Sequence, residues 1–284
     1  MDNVMETKLL DFNIDKSCYI VIGDREAKAK IRESLKENPL KLSGKLMKEA
    51  DHEKYLGDYI SGLGSAETAF ITVTKRHSKA MNAIFEIKAV IEDCRINVVG
   101  GLTTGLEIWE VAVIPYLLNN CDTWAYMPKN ALEVLDSLQN QFLRSLLALP
   151  KGCPTPALLW ETGTPTMENR VIKQKLLLVH HLVNLPEDSL AKQVAEVQDK
   201  LNLPGLISEM KEIIKHLELP NVESVSKMQW KSQVNKSMIN KNKKDIIQQS
   251  ERYKKICSKE MEQEKFERKS YLGTLRMDQA RTKF

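Results

Sequence analysis

The sequence predicts an α+β chain that is predominantly α: a small antiparallel β portion, then a helical bundle, then further helices. Three observations predict this. Short apolar or alternating runs punctuated by glycine are confined to residues 18–64. From Ser65 onward, apolar residues recur at three- and four-residue steps, the period of a helix with one buried face. Four prolines gather in residues 150–165, which reads as a rigid connector between helical stretches.

Each element follows from local chemistry. Residues 1–10 carry a helical pattern, and 11–17 form a turn-rich lead into 18–22, Cys-Tyr-Ile-Val-Ile, which reads as a buried strand. Residues 25–37 place Ala27, Ile31 and Leu35 four apart among charges, an exposed helix that Asn38-Pro39 stops. Two short alternating pieces around Ser43-Gly44 suggest a hairpin. Residues 52–61 read as one strand, with Tyr55, Gly57 and Tyr59 on one face and Leu56, Asp58 and Ile60 on the other. Gly57 inside a strand implies close approach of a backbone or a ligand.

Residues 65–94 give the clearest helix, with a seam of Ala66, Phe70, Val73, His77, Ala80, Ile84, Ile87 and Ile91. His77 reads as a packed histidine, because no second ligand shares its stripe. Lys75, Arg76 and Lys79 cluster off the seam: a solvated face, or a track for a phosphate backbone. Residues 106–118 are apolar almost all round and read as central to the core, with Pro115 placed to kink them. Residues 130–149 put Leu132, Leu135, Leu138, Phe142, Leu146 and Leu149 on one face, with Arg144 off it.

Further helices follow at 167–185, 190–201 and 206–219. His180 and His181 point about 100° apart, so one reads as packed, one as surface, and a shared site is not expected. Residues 227–269 are helix-permissive and basic. Trp230, Met238, Ile246 and Tyr253 are too sparse for a packed face, so this tail reads as a long exposed helix or as partly disordered.

Composition narrows the function classes. Of 284 residues, 42% are hydrophobic and 28% charged, the balance of a soluble protein. Residues 227–284 hold sixteen Lys/Arg against seven Asp/Glu, a local +9 within a total of +4, so residues 1–226 carry −5. Such asymmetry points to an anionic partner, nucleic acid first. Five scattered cysteines, none in a C-x-x-C pair, suggest free thiols in a reducing compartment. No signal peptide or spanning segment is visible: the most apolar run, 111–118, is far short of the roughly 20 residues a bilayer requires. The expectation is an intracellular soluble protein, nucleus or cytoplasm unresolved, with no membrane contact and no small-molecule site.

No enzyme centre assembles from motifs. There is no Gly-rich phosphate loop, no H-E-x-x-H, no G-x-S-x-G and no strand-borne aspartate pair. Asp11 and Asp15 stand in an Asn-containing turn and read as backbone caps. No metal ligands and no catalytic residues are expected.

The order of several short segments nevertheless resembles a known family. Asn13-Ile-Asp-Lys16-Ser17 before an apolar strand, then Lys54-Tyr-Leu-Gly57, resembles the last two palm motifs of non-LTR (LINE-type) retrotransposon reverse transcriptases. Pro115-Tyr-Leu-Leu118 with Trp124 is similar to the thumb segment that in this family ends in Tyr-Gly-x-Glu-x-Trp. Here Asn119-Asn120 stand in place of Tyr-Gly, and Asp122 in place of Glu. Gln139–Leu147, Pro154-Thr-Pro and Leu159-Trp-Glu-Thr-Gly163 are similar to the block that follows.

The resemblance implies four regions: 1–64 the end of a palm, 65–150 a thumb bundle, 151–226 a helical connector, and 227–284 a basic tail. Tyr55, Leu56 and Gly57 would support a primer terminus, and Lys75, Arg76 and Lys79 would hold template–primer RNA/DNA by its backbone. Lys16 would be an accessory beside leaving pyrophosphate. The family's Asp-Asp motif should lie before this sequence, so Mg²⁺ is implied for a longer parent only. The expectation is a catalytically incomplete RNA-directed DNA polymerase fragment with residual template–primer affinity. The alternatives are an incomplete version of an active polymerase, and a helical interaction protein with no nucleic-acid role.

Overall fold

The computed structural model describes residues 13, 16–55, 57–62, 64–93, 101–124, 126–253 and 258–273. It is mostly helical with a few small strands, the predominantly α, α+β class that the periodicity predicts. The chain forms two compact units, 1–72 and 73–284.

The first unit holds all the described strands, in three pairs. β1 (Cys18–Tyr19) runs parallel to β4 (Lys48–Glu49), and β2 (Lys41–Leu42) pairs antiparallel with β3 (Lys45–Leu46). Ser43 and Gly44 join the latter pair with φ of 48° and 77°, the left-handed geometry of a two-residue hairpin and the reason for the Ser-Gly signal. The strand expected over 18–22 is cut to two residues, and Ile22 is exposed.

Residues 52–61 form a hairpin instead of the single strand expected. β5 (His52–Tyr55) pairs with β6 (Asp58–Ser61), and Tyr55 stands opposite Asp58. Gly57, at φ +95°, belongs to the two-residue turn, so turn geometry rather than a close approach within a strand accounts for the glycine. The outer edge of β6 is not left open: the Thr68 and Thr72 hydroxyls accept from the Ser61 and Tyr59 amides at 3.0 and 3.1 Å. α1 (Arg25–Glu37) starts on Asp24, whose carboxylate accepts from the Ala27 amide at 2.7 Å. It buries no residue, as its charge pattern predicts, and is held by Lys28 on the Gly62 carbonyl and Arg32 on Glu49.

The second unit carries the core. α2 (Ser65–Asp93) buries Val73, Arg76, Ala80, Ile84 and Ile87 from residue 73 onward. α3 (Gly101–Ile108) runs through a π-helical turn (Trp109–Val113) into α4 (Ile114–Leu117). Pro115 offers no amide to the ladder, and the wide turn absorbs that loss just before it. This segment is amphipathic rather than apolar all round: Trp109, Val113 and Leu117 are buried, while Val111 is 77% exposed. Trp109 stacks on Phe142 of α5 (Lys129–Leu146) at 4.3 Å.

α6 (Thr155–Thr162) ends on Gly163 at φ +63°. A Cβ there would sit 2.3 Å from the Arg268 amide nitrogen, so glycine also lets residues 267–268 pass. α7 (Met167–Val183), α8 (Leu190–Lys200), α9 (Leu206–His216) and α10 (Lys227–Ser250) enclose a second cluster built on Leu176, Val179, Met210, Trp230, Val234 and Met238.

α10 corrects the reading of the tail as exposed or disordered. Ser226 and Gln229 form its capping box. Its buried residues are Trp230, Val234, Met238, Asn242, Ile246 and Ser250, each four after the last. Steps of four advance the stripe about 40° each, because a turn takes 3.6 residues. The stripe therefore winds around the helix and meets α7, α6 and α11 (Ser258–Gln263). Residues 264–269 also fold back: Phe266 packs on Trp160 at 5.7 Å, and the Lys269 amide donates to the Glu161 carbonyl at 3.2 Å.

Candidate nucleic-acid interface

The expected backbone-binding residues divide three ways. Lys75 and Lys79 stand one turn apart on α2, both exposed, and neither forms an ion pair among the described residues. Arg76 is turned inward, 5% exposed, which corrects its reading as part of a solvated cationic cluster. Its guanidinium donates to the Leu117 and Asn119 carbonyls at 3.1 and 2.8 Å and lies 5.9 Å from the Trp124 ring centroid. A cation at the carboxyl end of α4 meets orphan carbonyls and the negative end of the helix dipole. Arg76 thus ties α2 to the 117–124 loop.

In the first unit, Tyr55 is exposed at the end of β5, and Gly57 lies in the hairpin turn. Leu56 lies outside the described residues. Lys16 is exposed after a turn in which the Asn13 side chain and carbonyl both accept its amide, at 3.2 and 3.1 Å. Lys75 and Lys79 share one helix; Tyr55, Gly57 and Lys16 belong to the other unit.

The 117–124 loop is closely specified. Asn120 adopts φ +57°, a left-handed conformation that asparagine tolerates and glycine favours. The Thr123 hydroxyl donates to the Asn120 carbonyl at 2.8 Å, and Cys121 and Trp124 are buried.

Two clefts and a buried ion pair were not legible in the sequence. Lys175, on the apolar face of α7, has no exposed surface, and its ammonium donates to both Glu209 oxygens at 2.8 Å. A polar cleft of about 360 Å³ is lined by Asp136, Glu168, Asp245 and Arg252 among others. Burial pushes the Asp136 carboxyl up to about 6, against a hydrogen bond from the Met167 amide and with Glu168 adding to the rise.

A second cleft of about 370 Å³ lies between α7 and the start of α10, with His180, His181, Lys227 and Lys231 on its walls. Both histidines line it, against the expectation that they would not share a site. His180 is buried, stacked on Trp230 at 5.7 Å, with its Nε2 3.1 Å from the Val225 carbonyl; His181 is exposed. Side chains 100° apart on one helix can both border a groove that a second helix completes.

Among the described residues, no group of three or more His, Cys, Asp or Glu is placed to hold a metal ion. No described helix is long and apolar enough to cross a membrane. The chain matches no protein-family model, no curated protein and no solved structure.

Proposed function

We propose that this chain is a nucleic-acid-holding segment of a LINE-type reverse transcriptase, gripping template–primer RNA/DNA by its backbone through Lys75 and Lys79 on the first bundle helix. The observation that carries the reading is the 117–124 loop. At the position where the resembling thumb segment has glycine, Asn120 takes a left-handed φ of +57°. The loop closes on the buried Trp124, the residue that the two patterns share. The hairpin adds support, because Tyr55 is exposed at the end of β5 and Gly57 lies in the turn, where a primer's sugar–phosphate chain has access. Arg76 supports the loop instead of touching phosphate.

The test is a salt-dependent titration of the chain with an RNA–DNA hybrid duplex. Binding should fall linearly in log–log form with salt, and Lys75→Ala with Lys79→Ala should lower the slope by about one unit per lysine. Absence of any duplex shift at low salt overturns the reading.

One observation favours a second reading, a helical interaction protein. Leu190, Val194, Val197 and Leu201 form a stripe along α8 and are 48–74% exposed. Contiguous exposed apolar surface of this kind marks a contact site. That reading expects partner binding insensitive to salt and no affinity for the duplex.

A further inference from the structure

We propose that the cleft between α7 and the start of α10 binds a small organic phosphate of the mononucleotide class, its phosphate held by Lys227 and Lys231 and its flat apolar part set against Leu177 and Val225. The cleft is about 370 Å³, within the range of pockets that accept small ligands. The ionisable side chains on its walls are two lysines and two histidines, with no carboxylate among them. Neither Lys227 nor Lys231 forms an ion pair among the described residues, so their charge is available to a ligand. Lys231 also stands near Lys173, whose pKa is lowered by burial first and then by the neighbouring Arg170 and Lys231 charges. Arg170 is already matched by bidentate contact with Glu110, which leaves the lysines the unmatched cations of this groove.

Lys227 opens a 24-residue helix, so the dipole of α10 adds to the same positive field. The opposite wall is apolar and rigid. Trp230 is buried and fixed by its Nε1 donating to the Leu176 carbonyl at 2.9 Å, and His180 is stacked on it. Asn184 lines the wall as well, its amide committed to the His180 carbonyl at 2.8 Å. A wall held in this way keeps the cleft open without a ligand. A bare anion would leave the apolar side unused, and a purely apolar ligand would leave two lysines unmatched. A phosphate joined to a flat ring system uses both.

The site is independent of Lys75 and Lys79. Calorimetric titration of the full chain with adenosine monophosphate, adenosine and inorganic phosphate tests it. The monophosphate should bind at least about tenfold more tightly than either of the others, a difference of about 1.4 kcal/mol. Lys227→Ala with Lys231→Ala should weaken it about tenfold or more while leaving the thermal midpoint in place, since both side chains are solvent-exposed. Leu177→Trp, which fills the apolar side, should block it. Two sources share this chemistry, a free nucleotide and the terminal phosphate of a strand. Competition of adenosine monophosphate by a 5′-phosphorylated oligonucleotide, but not by its unphosphorylated form, identifies the second; no competition by either identifies the first. Equal affinity for adenosine and adenosine monophosphate overturns the proposal, as does unchanged monophosphate affinity in the double lysine variant. Loss of duplex binding on Lys75→Ala with Lys79→Ala leaves this site untouched.

Discussion

The two units solve the problem of buried polar backbone in opposite ways. In 1–72, the buried hydrophobic side chains among the described residues are Val21 and Ala69, both outside the strands, and the described strands are two to four residues long and paired only two by two. What holds them is specific polar contact: threonine hydroxyls on the β6 amides, Lys28 on a carbonyl, and Arg32 on Glu49. In 73–284, packed helices bury Trp109, Trp124 and Trp230 almost completely, and the buried Arg76, Lys175 and Asn242 meet partners drawn from distant elements. Two-stranded ribbons are marginal in water, whereas a packed helical core is cooperative. The first unit should therefore open locally well below the free energy that unfolds the second.

The largest test of this contrast is Lys175→Ala. It leaves Glu209 in a largely buried place without its cation and should cost about 3–5 kcal/mol in chemical denaturation. Lys175→Met with Glu209→Leu should recover most of that, because a buried pair replaced by apolar side chains is close to neutral. Hydrogen exchange on the single variant should show faster exchange in α7 and α9 amides with β5–β6 unchanged. If the hairpin amides speed up equally, the contrast between the units fails.

Arg76→Ala comes next, at about 2–3 kcal/mol, because two carbonyls at the end of α4 lose a charged donor. The loss should appear as fluorescence change from Trp124, while duplex affinity at low salt follows the folded fraction alone. A fall in affinity beyond that fraction would return Arg76 to the binding surface.

Asp136 provides a pH signature confined to the helical unit. Its folded value lies near 6 against an ordinary 3.8, so the folded state keeps a proton that the unfolded state has lost. Stability therefore falls as pH rises from about 4 to about 6 and then levels. Asp136→Asn should remove on the order of 2 kcal/mol of this dependence. Urea midpoints at pH 4 and pH 7 measure it, and equal pH dependence in both proteins would refute the assignment.

The smallest effect belongs to the first unit. Gly57→Ala places a Cβ at φ +95° and should cost about 1–2 kcal/mol of local hairpin stability. Amide exchange across β5–β6 should accelerate while the main unfolding midpoint stays put. A shifted midpoint would mean that the hairpin belongs to the cooperative core.

Much of the fold was legible in the residues. The helices expected at 25–37, 167–185, 190–201 and 206–219 from period and helix-stop residues form with ends within three residues of those bounds, and the Ser43-Gly44 hairpin follows from its turn residues. These features depend on φ preference and on spacing within a few residues, which any window of the chain contains. The candidate site was less legible. Lys75 and Lys79 are exposed as expected, but Arg76, one residue along, is buried, because the carbonyls it serves lie 41 and 43 positions away.

The same reason governs α10 and the cleft. Asn242 and Ser250 are polar, yet both continue the buried stripe. Asn242 is satisfied there by the Thr166 amide and the Asn169 side chain, more than 70 residues distant. Gly57 looked like a strand glycine until β6 folded back on β5, and two histidines that point apart on α7 came to share a groove once α10 supplied its other wall. Periodicity and turn chemistry are written locally. Whether a polar side chain faces water or the core depends on a partner that only the packed chain brings within hydrogen-bond reach.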